Sequence, residues 1–143
     1  MLGLSITVGA AAVMVAPPRN LRSAPTWAAG VYAQGALVKS TDRQLYWCVT
    51  AGTSVAAPYA GGGLTHSVDS MLWQNIPRGP RRMFNGVNTG ATLLTVTSGI
   101  APSAAGAGPV LQANSSVTFG PEVQDAIYAF GSAGGGTIGV QDI

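Results

Sequence analysis

The residues between Trp27 and Trp73 are the ones most suited to binding. Trp27, four residues, Tyr32, two residues, Gly35, two residues, Val38, then Tyr46, Pro58 and Trp73 form a regular series. Rings spaced this way could present flat faces to a sugar, because exposed aromatics bind pyranose rings by stacking. The same rings could fill a core. A β-unit of about fifty residues, with no disulfide and no metal, lacks core volume, and Trp and Tyr supply the most buried area per residue. In "QLYWCVT" (44–50) alternation places Leu45, Trp47 and Val49 on one face and Tyr46, Cys48 and Thr50 on the other. Both faces are apolar, so this strand is expected to be covered on both sides. Gly35 and Gly52 are expected to serve turns. We therefore expect core or interface packing, with a glycan platform of Trp27, Tyr32, Tyr46 and Trp73 as the alternative.

Bond-making chemistry needs convergent polar groups, and the sequence offers few. His66 is the single histidine, set in "GGGLTHSVDS" with Asp69 three residues on. Neighbouring serines suggest a hydrolytic triad, but no nucleophile-elbow motif accompanies them. Asp42, Asp69, Glu122, Asp125 and Asp142 are scattered over turns and strand ends, and Glu122 with Asp125 reads as a solvated edge rather than a glycosidase pair. "GSAGGGT" (131–137) lacks the Lys-Ser/Thr of a phosphate loop and reads as a hairpin turn. Cys48 is the only cysteine, which excludes an intrachain disulfide and a cysteine-based metal site. No enzyme, no metal and no cofactor is expected.

Arg78, Arg81 and Arg82 in "PRGPRR" (77–82) form the one local concentration of charge. Three charges without an aromatic sheet platform are too few for a nucleic acid, as is a net charge of +2. They read either as an ion-pairing patch for an acidic protein partner, a task that suits Arg, or as a solvated linker. Arg19 and Arg22 read likewise.

Charged residues make up 8% of the 143 residues, against about 25% in ordinary soluble domains. Hydrophobic residues reach 47%, yet no stretch is long and apolar enough to span a bilayer. Too few charges remain to coat a monomer in the usual way. Much of the surface is expected to face another protein, unless Ser, Thr, Asn, Gln and Gly coat it instead.

The elements that must position these residues read as strands. "MLGLSITVG" has no basic residue ahead of its apolar part, as a secretion signal should. It alternates instead, with Leu2, Leu4, Ile6 and Val8 on one side. Further strands are expected over 12–16, 36–40, 44–50, 82–88, 91–97, 109–113, 116–120, 126–131 and 137–143. "PEVQDAIYAF" has Pro121 where a helix would start, but Ile127, Tyr128 and Phe130 favour strand. Many short strands with Gly-rich connections, in a chain with 20 Gly and 9 Pro, argue for an all-β, antiparallel β-sandwich of jelly-roll type with a small aromatic-rich subdomain. We expect one β-rich domain over 1–143. Residues 1–26 form N-terminal strands or an arm, 27–76 the aromatic unit and 83–143 the larger sandwich half, which the first strands complete.

The aromatic series resembles small chitin- and cellulose-type carbohydrate-binding units, and also a unit of tailed-phage virion proteins in which "LYWCVTAGTS" precedes a Gly-rich loop and a Trp. "MFNGVNTGATLLTVTSGIAP" and "SSVTFGPEVQDAIYAFGSAGGGTIGVQDI" resemble the terminal β-sandwich of tailed-phage structural proteins. Together they make the chain similar to a capsid decoration, or cement, protein. That resemblance implies a protein synthesised in the host bacterial cytoplasm and carried on the virion's capsid surface. Its partners are then the major capsid protein and sister copies, as a homodimer or homotrimer, with no nucleic acid or membrane partner. Leu2, Leu4 and Ile6 of the first strand, with Arg19, Arg22, Arg78, Arg81 and Arg82, are the expected interface residues. The alternative is a glycan-binding module of a tail fibre, baseplate or capsid surface.

Overall fold

The computed structural model describes residues 4–21, 23–59, 65–68, 71–102, 108–132 and 136–143, and of residues 65–68 only the backbone. Leu2, Arg22 and Asp69 lie outside the described residues, as does the side chain of His66. Among the described residues there is no helix, and fourteen strands follow one another along the chain. These are β1 (Leu4–Val8), β2 (Val13–Ala16), β3 (Gly30–Tyr32), β4 (Leu37–Lys39), β5 (Leu45–Thr50), β6 (Gly52–Ser54) and β7 (Thr65–Val68). They continue with β8 (Met71–Asn75), β9 (Phe84–Asn88), β10 (Leu94–Ser98), β11 (Val110–Leu111), β12 (Ser116–Phe119), β13 (Ile127–Gly131) and β14 (Gly136–Asp142). The chain is all-β, and every strand ladder is antiparallel.

The chain forms two compact units, Met1–Asn20 with Gly79–Ile143, and Leu21–Arg78. The first contains two four-stranded sheets, in the orders β1-β14-β9-β12 and β11-β10-β13-β2. Period two is clearest in β9, β13 and β14, where buried positions alternate strictly with more exposed ones. Ile6, Val8, Phe84, Leu94, Val96, Ile127, Ala129, Ile138 and Val140 are buried in this way. Asn88 is buried among them, and its Nδ2 donates to the Thr92 and Leu111 carbonyls at 2.8 and 2.9 Å.

The same alternation turns Asp142 inward at the end of β14, where it is 1% exposed. A carboxylate cannot stay ionised in such a place without close partners. Arg81, fully buried, supplies them. Its Nε donates to Asp142 Oδ1 at 2.7 Å and its Nη2 reaches Oδ2 at 3.5 Å. Nη1 donates to the carbonyls of Val123 and Asp125 at 2.8 and 2.9 Å, and Nη2 to that of Pro17 at 2.6 Å. All five guanidinium donors are thus used. Arg19 adds a second cation, its Nη2 lying 3.2 Å from Asp142 Oδ1. Gln124 grips the Arg81 backbone, accepting from its N–H at 2.7 Å and donating to its carbonyl at 3.0 Å.

The expectation that Arg81 belongs to a solvated linker or an outward ion-pairing patch is therefore corrected. It is an internal fastener, and Arg19, with a side chain 2% exposed, belongs to the same cluster. Ile6 is corrected likewise, because it is 4% exposed and faces the interior of this unit.

The second unit holds a two-stranded ribbon, β3-β6, and a four-stranded sheet in the order β4-β5-β8-β7. Gly35, expected in a turn, has φ 87° there. Gly52, also expected in a turn, lies within β6. A Cβ on it would come 2.7 Å from Met71 Cγ, so glycine is required by close packing rather than by a turn.

Removing one member of a buried pair leaves the other charged and unsolvated, which costs about 3–5 kcal/mol. Arg81→Met is expected to lower the unfolding free energy by about that amount in urea titrations. Asp142→Asn should cost at least as much, because it leaves both Arg81 and Arg19 buried without a counter-charge. A single substitution with an unchanged midpoint would refute the fastening role.

Candidate binding surfaces

The aromatic series comes together as a core. Val38, Tyr46, Cys48, Met71 and Trp73 form one buried cluster, with Trp27, Tyr32 and Ala36 packed against it. The register produces this: Tyr46 pairs with Val38 and Asn75, and Cys48 with Trp73, so their side chains share a face. Tyr32 meets Trp73 edge to face, with ring centroids 5.0 Å apart and planes at 74°. Trp47 and Gln74, paired across β5 and β8, are buried on the sheet's other face.

Polar tips fix several of these rings. Tyr46 Oη donates to Asp42 Oδ2 at 2.6 Å. Tyr32 Oη donates to the Ala28 carbonyl at 2.6 Å and accepts from the Ala28 N–H at 3.1 Å. Trp27 Nε1 donates to Ser54 Oγ at 3.1 Å. The indole N–H groups of Trp47 and Trp73 are buried without a protein partner, a cost that the packing of both rings must exceed.

As a glycan platform the series is not assembled. Tyr46 and Trp73, at 1% and 0% exposure, offer no ring face for a pyranose to cover. Trp27 and Tyr32 are half-buried and spend their polar atoms on the unit's own fold. The physical reason is the shortage of core volume in so small a unit, which draws the largest rings inward.

Of the arginines expected at an interface, Arg78 and Arg82 are exposed. Leu4 is half-buried on β1, which lies at the edge of its sheet. His66 lies on β7, opposite Trp73 in the register. Glu122 and Asp125 are exposed, and Asp125 Oδ1 accepts from Asn20 Nδ2 at 3.4 Å. Among the described residues no three His, Cys, Asp or Glu side chains gather as a metal site.

Two surfaces escaped the sequence reading. Val31 and Val55, 82% and 66% exposed, stand on the β3-β6 ribbon and just beyond it. The second is a groove of about 600 Å³ on the outer face of the β1-β14-β9-β12 sheet, lined by Ser5, Asn85, Val87, Thr89, Gly139 and Gln141 among others. The signal for it was the other half of the period-two pattern: once Ile138 and Val140 point inward, Gly139 and Gln141 must point out.

No protein family, no curated protein and no solved structure matches this chain.

Two predictions follow from the aromatic core. Trp73→Ala empties a fully buried aromatic position and should lower stability by about 3–5 kcal/mol in chemical denaturation; near-native stability would show that the ring is dispensable for the fold. The second concerns alkali. Burial raises the Cys48 thiol from 9.0 to about 11, and burial, aided by the bond to Asp42, holds the Tyr46 phenol well above its usual value. Both groups keep their protons more tightly folded than unfolded. Stability is therefore expected to be full below pH 9.0 and to fall as pH climbs toward about 11. Thermal melts across that window should show a shallower slope for Cys48→Ala than for the parent chain, and identical slopes would contradict the assignment.

Proposed function

We propose that the first unit is an eight-stranded jelly roll interrupted between β2 and β9, and that the chain is a structural virion protein. In this reading it docks on the outside of a tailed-phage capsid and cements contacts between major capsid protein subunits, as a dimer or trimer of sister copies. The nested strand order carries the reading. Counting only this unit's strands, the first pairs with the last (β1 with β14) and the second with the seventh (β2 with β13). The third pairs with the sixth (β9 with β12) and the fourth with the fifth (β10 with β11). That is one long hairpin rolled into two sheets, the arrangement of jelly rolls, which viral capsid and lectin domains share.

A fold hosts many functions, so the surface has to choose among them. With seven basic and five acidic residues in the chain, the burial of Arg19, Arg81 and Asp142 in one cluster thins the surface charge further. Val31, Val55, Tyr59, Leu93, Ile100 and Val110 remain exposed. A neutral, partly apolar skin loses little on desolvation, whereas each buried charge is costly. Many modest contacts repeated over a lattice then sum to firm attachment.

The test is co-sedimentation with empty shells of the major capsid protein. The chain should pellet with the shells in fixed stoichiometry and raise their disruption temperature. A chain that stays in the supernatant at saturating concentration would remove the proposal.

A further inference from the structure

We infer that the groove on the outer face of the β1-β14-β9-β12 sheet is a binding site for a neutral oligosaccharide. This goes beyond the shell-docking reading and stands without it.

The register lays the face out as rows. Ser5 stands beside Gly139, Gly139 beside Val87, and Val87 beside Ser116. In the next row Gln141 stands directly opposite Asn85, and Asn85 opposite Thr118. Thr7 pairs with Thr137 on the other flank, and Thr137 Oγ1 lies 2.9 Å from Thr89 Oγ1. The groove opens over Gly139, the one position in the middle of this grid without a side chain.

Nothing in the fold demands glycine there. Gly139 is not among the glycines with positive φ. A Cβ would meet Thr89 Cγ2 at 3.6 Å and the Val87 carbonyl oxygen at 3.9 Å, both ordinary contacts. Glycine in a strand interior weakens the strand, and such a residue often marks the close approach of a ligand or of another backbone. Gly86, one strand away, is the contrast: its Cβ would crowd Ile138 and Phe84 at 3.1 Å, so packing alone explains it.

The lining selects the ligand class. Among the described residues no charged side chain borders the groove, so phosphates, carboxylates and amines find no counter-charge there. Among the described residues no aromatic ring borders it either, so a nucleobase has nothing there to stack on. The lining is mostly apolar, Leu4 and Val87 included, and its few polar side chains are amides and hydroxyls that can both donate and accept, as sugar hydroxyls do. Asn85 is oriented for the task, because its Oδ1 accepts from Thr118 Oγ1 at 3.1 Å, which leaves Nδ2 to donate. Val87, the Gly139 backbone and the Thr89 methyl give the C–H face of a pyranose an apolar floor.

The experiment is an amide NMR titration of the full chain with maltotetraose and chitotetraose, and with sialyllactose as an anionic comparator. The neutral sugars should shift the amides of Asn85, Gly139 and Gln141. Gln141→Ala should weaken binding about tenfold, the scale of one good hydrogen bond. Gly139→Val should abolish it, with a melting temperature no lower than the parent's and co-sedimentation with shells unchanged. If Gly139→Val does not fold, Gly139→Ala with Asn85→Ala is read in the same way. Shifts absent with both neutral sugars, centred instead on Trp27 and Tyr32, or unaffected by Gly139→Val would overturn the inference. So would a Gly139→Val chain that folds, binds no sugar and has lost its hold on shells, since the face would then be a protein-docking surface.

Discussion

A buried carboxylate sets the terms for the larger unit. Alternation along β14 fills the interior with Ile138 and Val140, and the next inward position falls on Asp142. Ionised, it needs cations at contact distance, and those cations need acceptors for their remaining protons. Arg81 and Arg19 meet both needs only if Pro17, Val123 and Asp125 present their carbonyls to one point. The cluster thereby ties the chain just after β2, the chain just before β9 and the segment ahead of β13 to the end of β14. Those first two points are where the polypeptide leaves this unit and returns to it. Loop closure costs grow slowly with length, so an insertion of about sixty residues between these anchored points adds little cost of its own.

Much of this was legible in the sequence, and what was not has physical causes. β1, β9, β13 and β14 were readable because half of each strand is buried, and period two survives wherever one face meets a core. β3, β6, β7 and β8 were missed: the first three are built from Gly, Thr, Ser, Val, Tyr and His, types that read as loop, and β8 breaks alternation by burying Trp73 and Gln74 in succession. Short ribbons hold by pairing and by what packs beneath them, and neither leaves a mark in local composition. Arg81 was misread for a related reason. Directly after Gly79 and Pro80 it looks like linker, and its true partner lies 61 positions further on. No local pattern announces a contact at that range.

The aromatic series shows how one motif carries two readings that only burial separates. Spacing alone cannot tell a stacking platform from a core, since both require flat, amphipathic rings at fixed intervals. Core demand decides the matter in this unit. Cys48, Val38 and Met71 are too small to fill the space on their face of the sheet, and Tyr46 and Trp73 make up the difference. Once Tyr32 is committed edge-on to Trp73 and Trp27 is tied to Ser54, the rings that a sugar would have needed have become the reason the unit folds.

The two surfaces proposed for binding differ in chemistry and in the sheet that carries them. In the first unit Leu93, Ile100 and Val110 stand at either end of β10 and on β11, in the β11-β10-β13-β2 sheet and its turns. The groove, mostly apolar with a few amides and hydroxyls, belongs to β1, β14 and β9 of the other sheet. Apolar side chains on turns suit a broad protein partner, which rewards area removed from water. A groove floored by a dispensable glycine suits a small ligand, which rewards close approach and matched hydrogen bonds. The period-two rule makes the pair possible within one small unit: strands such as β9 and β14 bury every second residue and turn the others outward. Because inward and outward residues are set by parity, the groove can change its chemistry at Gly139, Gln141 or Asn85 without disturbing Ile138, Val140 or the ion pairs that close the fold.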